Sequence, residues 1–600
     1  MDRQDIPFAW GPCKMPGGSV RFRIWAPGLD ALRLDVDGQC YRMDRAGDGW
    51  FEKLIADLPV GSPYCFVLDD GRNMPDPASR RQETDVHGRS IVCSGSYEWR
   101  HTEWVGRPWE ETVIYELHVG TFTDEGTFEA AMAKLPLLAE IGITAIEIMP
   151  VAQFGGNRGW GYDGTLLYAP HTAYGKPDDL KAFIDAAHGH EIMVFLDVVY
   201  NHFGPDGNYL PVFAPDFFDK SRDTPWGPAI NFAKKPVRHY FIDNALYWLG
   251  EFRFDGLRFD AIDHIVDTTD PEILVEVAQQ IRCQFPHRHI HLTTEDNRNI
   301  TRLHHREGGK AVLHTAEWND DFHSVAHVIA TGETEGHFSD FKDQRWDKLA
   351  TALTEGFVYQ GQPSQYLSGK RRGEPSSALP FSAFVDFLQN HDQIGNRAFG
   401  ERLAVLAEDR LLHTLTAILF LSPHIPLFFM GQDWGETRPF CFFTDFHGTL
   451  ADLVRDGRRR EFSSFSAFSE GNCDIENVPD PNDENTFAMC KLDWAKPSSP
   501  EGRDWRAYFH RLIALRRRYL VPLLASGGAG VGRRIQVEQA AIAIDWSFDV
   551  NRTLSLRANL GASAANVVKA PCQPFFAYPH TDTRAEQGMM VPVSVEVALT

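Results

Sequence analysis

No run of 18 or more apolar residues occurs in this chain of 600; LLHTLTAILFL (411–421) is much shorter and carries a histidine. That length cannot cross a bilayer, so no membrane span is expected. The opening residues, MDRQDIPFAWGPCKMPGG, lack the apolar core of a secretory signal, and the expected location is the cytoplasm. The nine cysteines are scattered, odd in number and without a C-x-x-C pair, which disfavours a zinc site or a disulfide framework and fits reduced thiols. Positive charge is scarce too, with 59 Lys and Arg against 82 Asp and Glu, a net charge of −23. Such a field repels phosphate backbones and anionic lipid, so neither nucleic acid nor a membrane surface is an expected partner.

What is present is ordinary globular material: 43% apolar and 24% charged residues, enough for a large core. A chain this long exceeds one core, and two to four domains are expected. Residues 1–105 read as short strands between turns, with RFRIWAP (21–27), LRLDVDG (32–38) and YCFVLDDG (64–71) uninterrupted by helical periodicity. They predict an N-terminal β-sandwich.

From about residue 110 the pattern changes to short apolar runs alternating with helical stretches such as 127–142 and 178–191. Eight candidate strands fall at 113–119, 145–150, 192–199, 255–261, 289–295, 311–318, 381–388 and 426–431. Eight successive β/α units predict an α/β domain, a (β/α)8 TIM barrel over 106–530, whose strands are apolar because both faces are buried. Residues 440–500 are turn-rich, a helix is expected at 505–519, and 531–600 predict a small C-terminal β-domain.

Barrel chemistry sits at the C-terminal strand ends. The third strand ends in DVVYNH, with Asp197, Asn201 and His202; the fourth in LRFDA, with Arg258 and Asp260. The fifth ends in TTED, with Glu295 and Asp296, and the seventh runs into QNHDQIGNR, with Asn390, His391 and Asp392. Side chains alternate along a strand, so Arg258 and Asp260 point the same way, and the arginine favours an ionised carboxylate. Glu295 on the adjacent strand end then faces Asp260. Two carboxyls about 5–5.5 Å apart are the machinery of a retaining glycosidase, one attacking the anomeric carbon and the other protonating the leaving oxygen. Asp392 adds a third carboxylate suited to holding sugar hydroxyls. Any one acid among 82 is more often structural or solvated. An ordered set at four strand ends is not explained that way.

These four motifs, in this order, resemble the signature regions of the α-amylase family. The resemblance implies Asp260 as nucleophile, Glu295 as general acid/base and Asp392 as transition-state stabiliser. It also implies sugar contacts from Arg258, His202 and His391, with Tyr162 of RGWGYDG (158–164) stacking beneath the sugar. Asn201 matches a calcium-binding position of true α-amylases. Only about 50 residues separate His202 from the fourth strand, without an obvious calcium-binding domain, so Asn201 is read as a hydrogen-bonding residue. No metal and no cofactor are expected.

A narrower resemblance, to maltooligosyltrehalose trehalohydrolases, is carried by PDPASRRQETDVHG (75–88), YELHVGTFT (115–123), TTEDNRN (293–299), WNDDFH (318–323) and FMGQDW (429–434). It implies a substrate of maltooligosyltrehalose or a related α-glucan, with hydrolysis next to a terminal trehalose. A glycogen-branching enzyme is the rival within the fold, and an inactive glucan-binding protein the rival from another class. DAIDHIVD (260–267) departs from the commoner DAVHAIRD by moving its histidine, His264, one position; His264 and Asp321 are counted with the substrate-binding residues. Thr294 stands where alanine is commoner. Trp160 and Trp226 serve equally as packing residues or sugar platforms, and Arg455, Arg458, Arg459 and Arg460 read as a solvated face.

Overall fold

A computed structural model describes residues 8–469, 473–526, 530–548, 551–579 and 589–600. At its centre is a closed parallel barrel of β1 (Ile114–Leu117), β2 (Ala145–Ile148), β3 (Met193–Val198), β4 (Gly256–Phe259), β5 (His291–Thr294), β6 (Ala316–Trp318), β7 (Phe384–Phe387) and β8 (Ile425–Phe429). Every residue of these strands is buried, as expected of strands covered by helices outside and side chains inside. All eight fall within the predicted windows, apart from Ile425 at the start of β8. β6 is the shortest, three residues.

The lower interior is an apolar plug. Ile114, Met193, Phe195, Val385, Phe387 and Leu427 meet there, with Trp318 above them and Trp109 at the base, its indole nitrogen donating to the Ser382 carbonyl at 2.6 Å. β4 passes this plug only because Gly256 has no side chain: a Cβ would sit 2.5 Å from the His291 carbonyl oxygen and 2.7 Å from the Phe195 ring. Above the plug the inward positions turn polar. The register sets Glu116 beside Glu147, and Asp197 beside Arg258.

Residues 13–91 form two antiparallel sheets, one containing Val20–Trp25 and Trp50–Ile55, the other Arg33–Val36 and Pro63–Val67. Phe22 and Tyr64 bridge them, with ring centroids 4.8 Å apart. This unit docks on the barrel helix Lys235–Gly250: the Trp10 indole donates to the Pro236 carbonyl at 2.8 Å, and the Arg80 guanidinium lies against the rings of Tyr168 and Tyr247. A five-stranded antiparallel sheet spans Val531–Leu599, anchored by Trp546, whose indole donates to the Leu353 carbonyl at 2.8 Å. Among the described residues no helix is long and apolar enough to cross a membrane.

Three local expectations need correction. The helical stretch 127–142 is two helices, Phe128–Met132 and Leu135–Ile141; Pro136 lacks the N–H that would continue one into the other. The turn-rich 440–500 segment also holds a 15-residue helix, Gly448–Phe462, that its sequence reading did not include. Its four arginines are not simply solvated. Arg455 pairs with Asp452 and Arg459 with Glu476, while Arg458 lies over Phe442 and Phe462 and donates to the Gly395 carbonyl and Asn396.

Candidate active site

The centre of the site is one guanidinium. Arg258 projects from β4 above Trp318, its charge 4.2 Å from the indole ring centre, and is 1% exposed. Its Nη1 donates to Asp197 at 2.7 Å and to Asp260 at 2.8 Å, and its Nη2 donates to Glu295 at 2.6 Å. Planar fork geometry lets one side chain fix three carboxyls at once, which lysine cannot do. Asp260 and Glu295 thus face each other across the width of one guanidinium.

The backbone that joins them is strained. Ala261, directly after Asp260, has φ +38 and ψ 56, a left-handed conformation unusual for a residue with a Cβ. It is held there from both sides: its N–H donates to Glu295 at 2.9 Å, and its carbonyl accepts from Asn201 at 3.2 Å. The same Asn201 amide donates to the Asp260 carboxylate at 3.1 Å and to its carbonyl at 3.0 Å. Asn201 is therefore a hydrogen-bonding residue in this structure, and its own carbonyl oxygen meets the His202 ring.

Burial acts on several of the acids in the same direction. It raises the Glu295 carboxyl, with the Asp260 carboxylate adding to the shift and Arg258 opposing it. Burial also raises Asp392, aided by Glu295 and opposed by His391, and pushes Asp197 up to about 7. Tyr162, whose hydroxyl donates to Asp197 at 2.6 Å, stacks on His391 with centroids 5.1 Å apart. Burial works against a charged His391, but Glu116 on β1 outweighs it and the net shift is upward; Glu116 accepts from both the His391 ring and its backbone N–H. Asp392 accepts from Asn396 at 2.6 Å, and Arg458 braces that asparagine.

Two aromatics separate cleanly. Trp160 is packing: 5% exposed, it stacks on Phe440, donates to the Cys441 carbonyl and stands edge-on to His391. It fits there because Gly395 has no side chain, for a Cβ would lie 2.0 Å from the indole. Trp226 is 45% exposed on the hairpin Phe218–Thr224/Gly227–Ile230, parallel to His202 at 4.3 Å and edge-on to His264 at 4.9 Å.

The profile of the alpha amylase catalytic domain matches residues 82–225. A malto-oligosyltrehalose trehalohydrolase of Deinococcus radiodurans is 42% identical over 516 residues, 84% of this chain and 82% of the relative. The chain belongs to the malto-oligosyltrehalose trehalohydrolase family. A 1,4-alpha-glucan branching enzyme of Corynebacterium efficiens is more distant, 27% identical over 82% of this chain and 74% of its own length. A crystal structure of a Salmonella typhimurium protein described as an alpha amylase superposes with a TM-score of 0.94 at 51% identity, covering 99% of both chains.

Within this family member, Tyr162, His202, Arg258, Asp260, His264, Glu295, His391 and Asp392 all come to the C-terminal mouth of the barrel. Asp321 does not. It is 0% exposed, and one carboxylate oxygen accepts from Asn299 and from the backbone N–H groups of Val358 and Tyr359 at 2.8–2.9 Å. Its other oxygen pairs with Arg372 at 2.8 Å. Asp321 therefore anchors the 358–359 loop rather than binding substrate. Asn319 caps the helix Asp320–Thr331; of its first two residues Asp321 is buried, while Asp320 is half-buried and accepts at 3.2 Å from Gln393, the residue after Asp392. Asp197, a strand-end residue in the sequence reading but given no role there, joins Arg258 and Tyr162, while Glu116, which pairs with His391, is absent from that reading. For Glu116 the usable signal was its place at the end of a barrel strand. Thr294 is no mere alanine substitute: its hydroxyl donates to buried Glu317 at 2.6 Å and meets His304 at 2.9 Å.

Proposed function

We propose that this enzyme hydrolyses the α-1,4-glucosidic bond next to the terminal trehalose of maltooligosyltrehalose, with retention, releasing trehalose. The observation that carries the chemistry is the Arg258 guanidinium holding Asp260 at 2.8 Å and Glu295 at 2.6 Å. Two carboxyls held by the two terminal nitrogens of one guanidinium suit a nucleophile and its partner acid, whereas an inverting pair stands about 6.5–9.5 Å apart to admit a water. Family membership supplies the leaving group.

In this reading Asp260 attacks the anomeric carbon, its carboxylate oriented by Arg258 and Asn201. Glu295, kept protonated by burial, donates to the departing trehalose oxygen. The same residue, now a carboxylate, takes a proton from water as that water opens the glycosyl–Asp260 ester, which returns Asp260 and yields the α-anomer. Asp392 holds ring hydroxyls, and its charge stabilises the oxocarbenium-like transition state. Tyr162, His202, Arg258 and His391 shape the pocket of the reacting sugar, and His264 with Trp226 stands at its lip.

We place the enzyme in the cytoplasm, a location the nine free cysteines support. Residues 1–105, 106–530 and 531–600 are taken as its three domains. The test is proton NMR of the sugar end formed in the first minutes of reaction. The α-anomer should appear first; initial β-anomer would overturn the reading, and new α-1,6 branches on amylose would favour the branching enzyme.

A further inference from the structure

The fold uses most of the acids around the mouth. Asp296 is clamped by Arg298, Asp321 is consumed inside the protein, and Asp197 and Glu295 are shared by Arg258. Asp320 is different. It lies two residues beyond the end of β6 as the first residue of a helix, half-buried, in the field of Glu295 and Asp392. Among the described residues its only hydrogen bond is a long one, from Gln393 Nε2 at 3.2 Å, and no cation pairs with it within 4 Å.

A half-buried acid in the field of two other carboxyls is an expensive residue to keep. Helix stabilisation alone does not account for it, since Asp321 already supplies an acid to the same first turn. Burial, with the neighbouring Glu295 and Asp392 carboxyls, pushes Asp320 up to about 8, which favours a carboxyl able to donate as well as accept. Gln393, also half-buried, adds a carboxamide beside it. Donor and acceptor together are what a vicinal pair of sugar hydroxyls needs.

The strand that leads into Glu295 lies between those that lead into Asp260 and Asp320 in the closed barrel, and from this order we infer that Asp320, together with Gln393, binds hydroxyls of the departing disaccharide and so helps select it. The inference rests on the proposed reaction, in which Glu295 protonates the leaving sugar. Asp320 is then a substrate-positioning residue on the leaving-group side and takes no part in bond making.

The test measures two inhibition constants in the full-length enzyme hydrolysing maltotriosyltrehalose. Trehalose, added as product, reports the leaving-group side. The iminosugar 1-deoxynojirimycin reports the ring position at the cleavage point. In Asp320→Ala the constant for trehalose should rise about tenfold, the loss of one good hydrogen bond, while that for the iminosugar stays within about twofold. Asp320→Asn, which keeps shape and a donor, should fall between wild type and Ala, and thermal unfolding identifies any variant that has merely lost its fold. An unchanged trehalose constant, or both constants rising together, would overturn the inference. Should wild type bind maltose as tightly as trehalose, the specificity reading fails by itself, and the Asp320 comparison is made on maltose instead.

Discussion

Glu116 and His391, 275 positions apart in the chain, form a buried ion pair at the mouth of the barrel, the carboxylate receiving both the ring and the backbone N–H of the histidine. That ring lies against Tyr162, so the first strand of the barrel positions a group that follows the seventh. The floor of the proposed sugar pocket depends on a contact between distant parts of the sequence.

The pair should make stability depend on pH with a definite sign. A histidine raised in the folded state contributes fully below its unfolded value, about 6.5, and the contribution is lost as pH rises through the folded value. Glu116→Gln removes the cause of that elevation. The melting-temperature gap between wild type and variant is expected to be larger at pH 6 than at pH 9. A gap independent of pH would show that the imidazolium is not what Glu116 stabilises.

Arg258 offers a second test, because three carboxyls depend on it. Arg258→Met leaves Asp197, Asp260 and Glu295 without their cation and is expected to cost about 3–5 kcal/mol in urea unfolding. Arg258→Lys keeps a charge but cannot bridge, so it should cost less stability while losing nearly all activity. Wild-type activity in the lysine variant would mean that the fork geometry is irrelevant.

For the carboxylates, Asp260→Asn and Glu295→Gln should each lose more than about 10³-fold in kcat on glucan substrates. Only Glu295→Gln should recover with a substrate whose leaving group needs no proton. Burial holds the proton on Glu295 to higher pH, so the alkaline limb of kcat/KM in wild type should lie above the ordinary glutamate range, near 4.3, and activity should fall as pH rises through it. Identical behaviour of the two variants on the activated substrate would undo the division of labour.

Asn201 spends its amide nitrogen on Asp260 and Ala261 and its oxygen on His202. Activity is therefore expected to survive prolonged EDTA treatment. Asn201→Ala should lower kcat by about 10–100-fold, the worth of a hydrogen bond to a charged group, with no recovery on adding Ca²⁺. Loss on chelation restored by calcium would assign Asn201 to a metal site.

The barrel was legible because its strands are short apolar runs between amphipathic helices, and because Asp260, Glu295 and Asp392 sit where chain order marks strand ends. What sequence patterning missed depends on direction and distance. Nothing in WNDDFH says whether Asp320 or Asp321 turns inward; the start of the helix decides that, and it buries Asp321. Arg458 read as one of four surface charges, yet the turn of its helix lays it over Phe442 and Phe462 beneath Asn396. Glu116 stands near the end of a barrel strand, but the sequence does not name its partner, which lies 275 residues away.

Specificity for the trehalosyl end is tested most directly by comparing two substrates of equal length, maltotriosyltrehalose and maltopentaose. The α,α-1,1 linkage is bent and has no reducing hydroxyl, so a pocket built for it leaves polar groups unpaired when maltose occupies it, a mismatch that discriminates strongly. Chromatography of initial products should show trehalose released from the first substrate far faster than maltose from the second. Equal rates would leave a general α-glucan hydrolase and contradict the proposed function.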